Sequence, residues 1–344
     1  MSRTGLALTM IVRNEARCLA RCLQSAQTLV DEIIICDTGS TDESVDIAKK
    51  FGACVVHLPW PGHFAQARNH CLDHSRADWN LVLDADEWVD SAVDPQVLRQ
   101  FVEDGPQRVG LVRVRSTFMI HQRSECADSW LPRLLPRGVR FVGQIHEQPA
   151  HRLPHGRTGV LLHHDGYEPE RAHAKASRNF ELLKATLSRH PDDPTLHYQM
   201  GVQYDAASDW QQACESYQRA LSYGAAAYPF SHSLGVRLLH ALSRTQQYSE
   251  ALAWAKYLEE RWPRSSDVFF AIGNLCLDLA SAEPRCALDS WLPSAEAAWQ
   301  RCLEIGEDHA EQDEHVVGRG SFLAAHNLRV VHEAISGLSH KMAQ

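Results

Sequence analysis

Through residues 5–90, short apolar runs alternate with helix-forming ones, and each apolar run stops at a polar cluster. Leu6–Val12, 32–36, 53–57 and 79–83 read as strands, and the spacing of apolar positions predicts helices over 14–28, 43–51 and 64–74. Strands alternating with helices form parallel βαβ units, so the pattern predicts an α/β fold with a doubly wound, mostly parallel sheet. Open sheets of that kind bind ligands beyond the carboxyl ends of their strands. Arg13-Asn14-Glu15, the stretch from Asp37 to Asp42, and Asp84-Ala85-Asp86 all fall at such ends. The shared placement carries more weight than any one cluster.

The third cluster has the most pointed chemistry. Leu81-Val82-Leu83 runs straight into Asp84-Ala85-Asp86-Glu87. If the strand continues through the carboxylates, its period of two puts Asp84 and Asp86 on one side of the backbone. Hard oxygen ligands there suit Mg²⁺ or Mn²⁺, and such an ion can hold a diphosphate. Taken alone, the tripeptide reads equally well as an acidic turn that ends a strand. Asn14 and Glu15 also have two readings. They line the site, or Asn14 is the N-cap of the first helix and Glu15 sits in its first turn, where the helix dipole favours an anion.

Composition narrows the class. The 344 residues leave room for two domains, and 34 Lys and Arg against 43 Asp and Glu give a net charge of −9. An acidic balance argues against a general nucleic-acid binder, which needs a basic face. No apolar run has the length of a membrane span, and the N-terminus lacks a signal peptide's apolar core, so the expected location is the cytoplasm. The ten Cys form no matched C-x-x-C pairs, and Cys18 and Cys22 alone are too few for zinc, so reduced, mostly buried thiols are expected.

After about Tyr167 the texture becomes helical, and Pro191-Asp192-Asp193-Pro194 marks a break. Domains over 1–180 and 181–344 are expected. Gly201, Tyr204, Ala213, Tyr217 and Ala220 fall at the spacing of the tetratricopeptide pattern. A second unit reads Leu239, Leu242, Ala251, Ala255, Leu258 and Pro263, and a third Ile272-Gly273, Ala295, Trp299 and Cys302. Ala251 follows Ala213 by 38 residues and Ala295 follows Ala251 by 44, so the connections exceed the repeat's usual period. The larger excess predicts an inserted loop around 281–289. Stacked helix pairs of this kind build a concave binding face.

With these motifs in hand, the N-terminal half resembles the family-2 glycosyltransferases of GT-A fold. The matching residues are Met10-Ile11-Val12-Arg13-Asn14-Glu15, Cys36-Asp37-Thr38-Gly39-Ser40-Thr41-Asp42, Phe64-Ala65-Gln66-Ala67-Arg68-Asn69 and Asp84-Ala85-Asp86-Glu87. Leu131-Pro132-Arg133-Leu134-Leu135-Pro136-Arg137, Gly143-Gln144-Ile145-His146-Glu147 and His163-His164-Asp165-Gly166-Tyr167 are similar to two bacterial branches. One is the lipopolysaccharide-core β-glucosyltransferases. The other is the tetratricopeptide-bearing enzymes that include peptide S-glycosyltransferases of glycocin pathways, which the helical C-terminal half resembles more.

The resemblance implies inverting transfer of a hexose from a nucleotide sugar, UDP-linked in the leading reading, with Mn²⁺ or Mg²⁺ as cofactor. It implies Asp86 as a direct metal ligand, with Asp84 acting through water or the donor ribose, and a uracil contact from Asp37. Arg68 falls near the base or the phosphates, its alternative being a surface ion pair. His164 is the candidate third metal ligand; His163 points the other way if the segment is a strand. Inversion needs a base for the acceptor's proton. Glu147 is the candidate, with sugar-hydroxyl binding by Glu147 or base catalysis by His146 as alternatives. Trp60 and Trp88 flank the expected site and either stack on a sugar or fill the core.

Three functional readings follow. The first is transfer to a protein or peptide gripped by the repeats. The second is transfer to a lipopolysaccharide core or other envelope glycan, for which Arg133, Arg137 and Arg140 form a modest basic cluster. The third is a repeat scaffold with an inactive first domain, against which intact Asp84, Asp86 and Glu147 count. The repeats themselves hold either the acceptor or a second copy of the chain in a homo-oligomer.

Overall fold

Leu6–Val12 (β1) has almost no polar side chain, and Leu6, Ala7 and Leu8 are fully buried, as a strand covered on both faces requires. In the computed structural model, which describes residues 4–105, 107–120, 123–164, 169–307, 312 and 314–342, it sits at the centre of a parallel group. Glu32–Asp37 (β2) and Trp79–Val82 (β4) flank it, and Cys54–His57 (β3) lies outside β2. Ala16–Ala26 (α1), Ser44–Lys50 (α2) and Phe64–Asp73 (α3) are the crossovers. α1 buries Cys18, Leu19, Cys22, Leu23 and Ala26, a single stripe at helical spacing.

The helix starts were predicted with one error. Asn14 does not cap α1, which begins at Ala16 with Glu15 at the cap position. Asn14 takes a left-handed backbone (φ +56) and its Oδ1 accepts the Thr41 N–H at 2.7 Å. Asn14 therefore joins the loop after β1 to the loop after β2, and its polar side chain is suited to the left-handed region.

Past β4 the topology changes. Glu87–Val89 (β5), Pro95–Glu103 (α4), Val109–Ile120 (β6), Arg123–Pro136 (β7), Arg140–Val142 (β8), Gln148–Ala150 (β9), His155–His164 (β10) and Pro169–Leu187 (α5) follow in turn. The main sheet runs β3-β2-β1-β4-β7-β6-β10-β5, and β8 and β9 form a small separate ribbon. β7 is antiparallel to β4 and β6, β10 is parallel to β6, and β5 is antiparallel to β10. The sheet is thus parallel where helices separate the strands. It turns antiparallel where β6 leads to β7 with no helix between, because a parallel return needs a crossover.

The chain divides into two units, Met1–Leu182 and Leu183–Gln344. The second is helical: Pro194–Ala206 (α6), Trp210–Ser222 (α7), Ser231–Arg244 (α8), Tyr248–Arg261 (α9), Ser266–Ala282 (α10), Leu292–Ile305 (α11) and Phe322–Met342 (α12). The break at Pro191–Pro194 becomes a helix start, with Asp193 Oδ1 accepting the N–H groups of Thr195 and Leu196. Tetratricopeptide-like pairing appears as one contact made three times. A Cβ at Gly201 would enter the Tyr217 ring, one at Gly235 would meet Leu258 Cδ2 at 2.7 Å, and one at Gly273 would meet Trp299 Nε1 at 2.5 Å. Gly235 follows Gly201 by 34 residues, the repeat's own period, a signal that the alanine spacing had obscured. The loop expected at 281–289 is instead helical: a short turn at Pro284–Cys286 and a wide turn at Ala287–Trp291 lead into α11.

None of the ten cysteines is disulfide-bonded, and seven are buried. Burial pushes the Cys18 thiol up to about 12, so it stays protonated and unreactive.

Candidate active site

A cleft of about 330 Å³ opens where β1, β4 and the 143–147 loop meet, at the carboxyl ends of the parallel strands. Two motifs are tied together to form its wall. Asn69 donates to Phe141 O at 2.9 Å and accepts the Phe141 N–H at 2.8 Å, while Gln144 O accepts the Phe64 N–H at 2.9 Å. These bonds set α3 against the segment that carries His146 and Glu147.

At the base lies a ladder of alternating charges. Arg68, 8% exposed, donates from Nε to Glu147 Oε1 at 2.5 Å and from Nη2 to Asp84 Oδ1 at 2.8 Å. Arg133 Nη2 donates to Asp84 Oδ2 at 2.8 Å and to Glu87 Oε1 at 2.9 Å, and Glu87 Oε2 accepts the Asp84 N–H. Burial opposes the charge on Asp84, but Arg133 and Arg68 outweigh it and hold the carboxyl well below its ordinary range. Burial also works against Arg68, and Asp84 and Glu147 keep it firmly protonated. For Glu87 burial wins, and its carboxyl titrates above the usual range.

The two aspartates do not share a side of a strand. β4 ends at Val82, and the Glu87 N–H donates to Asp84 O, closing a turn over Asp84–Glu87. The turn sends Asp84 to the arginines and Asp86 to His164, whose Nε2 lies 3.8 Å from Asp86 Oδ2. With an arginine on each of its oxygens, Asp84 is taken up by the ladder, and Asp86 is the aspartate turned toward His164. His164 Nδ1 contacts Ser116 Oγ at 3.1 Å. Burial would lower the His164 pKa, but the hydrogen bond and charge of Asp86 raise it on balance.

Among the described residues, no group of three or more His, Cys, Asp or Glu side chains is placed to hold an ion. Asp86 and His164 supply an oxygen and a nitrogen on the cleft wall. Those two donors are of the kind a divalent ion takes, and an ion there would need further ligands from outside the described side chains.

The other expected residues divide. Asp37 is buried and turned into its own loop, accepting the N–H groups of Gly39 at 3.2 Å and Ser40 at 3.1 Å, with His57 Nδ1 at 3.3 Å. It shapes the loop, and Thr38, not Asp37, reaches the cleft. Glu15 lines the cleft; its N–H is accepted by Ser44 Oγ, while Asn14 braces the loop from behind. His146 takes a left-handed backbone (φ +51), burial lowers its pKa, and its Nε2 is buried with no hydrogen-bond partner. His163 faces away from His164, bonded to Asp90 at 2.6 Å and stacked on Trp88. Trp88 lies between His163 and Arg21, out of the cleft, whereas Trp60 lines it. Asp165, Gly166 and Tyr167 lie outside the described residues.

The basic cluster dissolves. Arg133 points into the ladder, Arg137 donates to Ala77 O, and Arg140 pairs with Asp73. Arg133 is the residue that sequence reasoning misplaced, although an arginine among the leucines of a strand is itself a sign of an inward, paired charge. Arg178 on α5 also lines the cleft, and nothing local in its sequence marks it.

Residues 8–147, which carry most of this cleft, match the glycosyl transferase family 2 model. The match lies within the N-terminal unit, whose mixed sheet is followed by tetratricopeptide-like helices. A TPR repeat-containing protein of Synechococcus elongatus is 33% identical over 57% of this chain and 51% of its own length. The SPbeta prophage-derived glycosyltransferase SunS of Bacillus subtilis is 24% identical over 78% of this chain and 66% of its own length. The chain thus spans between half and two thirds of these relatives. Among solved structures, glucosyl-3-phosphoglycerate synthase from Mycobacterium tuberculosis, in complex with Mn²⁺ and UDP-glucose, is 23% identical over 33% of this chain and 43% of that one. Its TM-score of 0.27 is too low to carry an argument. No helix among the described residues is long and apolar enough to cross a membrane.

Proposed function

We propose that this chain is an inverting hexosyltransferase that uses a UDP-sugar and Mn²⁺ or Mg²⁺, and that its acceptor is a protein or peptide held by the repeats. The observation that carries the reading is the split between the two aspartates. Asp84 is committed to a buried arginine ladder, and Asp86 faces the cleft beside His164. A structural acidic turn has no need of such a division.

In this reading Asp86 and His164 hold the ion, which when bound neutralises the departing diphosphate as a Lewis acid. Glu147 takes the acceptor's proton as the nucleophile attacks C1 of the sugar. Arg68 fixes Glu147 through Oε1 and keeps it from turning out of the cleft. Trp60 offers a ring face for a sugar or base. The likeness to a TPR repeat-containing protein and to a glycosyltransferase supports a repeat-held protein acceptor, and the dispersal of Arg133, Arg137 and Arg140 removes the feature that favoured a membrane-side one.

The test is mass spectrometry of proteins and envelope glycans from cells making the intact chain or its Glu147→Gln variant. Hexose on a protein, lost in the variant with turnover lowered about 10²- to 10⁴-fold, is expected. Hexose on glycolipid alone refutes the protein acceptor, and hexose on neither refutes the transferase reading.

A further inference from the structure

The charge ladder leaves two cations of the cleft unexplained. Arg13, at the end of β1, and Arg178, on α5, both line the cleft. Among the described residues no carboxylate lies within ion-pair distance of either guanidinium. Among the described residues, Arg178 hydrogen-bonds the neighbouring Asn179, whose Oδ1 accepts from Nε at 3.3 Å and Nη2 at 3.2 Å. Its guanidinium rests 5.6 Å from the Phe64 ring and 6.0 Å from Trp60, which face each other edge-on at 4.8 Å. The aromatic pair therefore holds a charged fork at the cleft without neutralising it.

We propose that Arg13 and Arg178 form an anion-binding pair that takes the donor's phosphates, so that α5 completes a site whose other charged and titratable residues lie on the elements through β10. The inference rests on the nucleotide-sugar reading above and assigns a role to a helix outside the matched 8–147 segment. Two like charges directed into one cleft repel each other until an anion lies between them. In line with this, burial and the nearby charge of Arg13 lower the pKa of Arg178 on balance, against the opposing charge of Glu15. A guanidinium fork matches phosphate oxygens two at a time, which a lysine cannot reproduce. In a chain of net charge −9, a diphosphate also needs such local cations to enter a cleft that holds Glu15, Asp84, Asp86 and Glu147.

Calorimetric titration of the intact chain with UDP, inorganic pyrophosphate and uridine, in Mg²⁺ buffer, tests the pair. Arg178→Gln and Arg13→Gln should each weaken UDP and pyrophosphate about tenfold or more, leave any uridine binding within twofold, and keep the wild-type melting temperature. Arg178→Lys should recover part of the loss. If both glutamine variants bind UDP and pyrophosphate like the wild type, the pair is overturned and the nucleotide-sugar reading stands. If the wild type binds pyrophosphate through Arg178 but prefers UDP no more than pyrophosphate, the anion pair stands and the nucleotide reading falls. A wild type that binds neither overturns both.

Discussion

Arg68 holds two carboxylates at once, and Arg133 holds two more contacts on the far side of Asp84. The five charged side chains of this ladder, Glu147, Arg68, Asp84, Arg133 and Glu87, are each satisfied only while the others stay in place, so one missing guanidinium leaves a buried acid uncompensated. Arg68→Met keeps most of the side chain's volume but leaves Glu147, with 10% of its side chain exposed, without its cation. A loss of about 3 kcal/mol is expected by urea unfolding at pH 7. The sign of its pH dependence follows from Asp84, whose pKa is depressed in the fold. Stability from such a group is present above the unfolded value of about 3.9 and fades as the solution is acidified through the folded one. The gap between wild type and variant should therefore be constant from pH 8 to about pH 5 and narrow below about pH 4. A loss under about 1 kcal/mol, or a gap that widens in acid, contradicts the ladder's role.

At the scale of elements, a helix pair closes where a glycine lets a large side chain reach the neighbouring backbone. Gly273 faces the edge of Trp299, a rigid ring that is fully buried. Gly235 faces the far end of Leu258, which can rotate away. Gly273→Ala should cost about 1–3 kcal/mol through overpacking, and Gly235→Ala clearly less, partly offset by alanine's better helix propensity. Thermal unfolding of the two variants side by side checks the order; an equal or reversed pair of shifts contradicts it. The strands and helices through residue 83 were legible because apolar periodicity is local, and the glycosyltransferase motifs sat where that pattern placed them. The α1 cap was misread because Asn14 has a partner, Thr41, on another loop. The helical insertion at 281–289 was misread because length alone does not distinguish a loop from a helical extension.

Across the whole molecule, the site's chemistry was legible by residue type but not by pairing. Asp84, Asp86, Arg68, His146, Glu147 and His164 do line one cleft, as their placement at strand ends and on neighbouring elements predicted. Which acid meets which base was not legible, because the turn after Val82 breaks the period-two rule that the aspartates were read by. Arg133 and Arg178 reach the cleft from β7 and α5, about 50 and 95 residues beyond Asp84, a distance over which no periodicity carries information. The same separation gives Asp86 its diagnostic value: it faces the cleft, and the ladder on its neighbour Asp84 does not depend on it. The most direct measurement is nucleotide release from a panel of UDP-sugars by the intact chain and by Asp86→Ala, each with and without Mn²⁺. We expect metal-dependent release from at least one donor, reduced about 100-fold or more in the variant while its fold is retained. Release from no donor, or equal release by Asp86→Ala, would contradict the account.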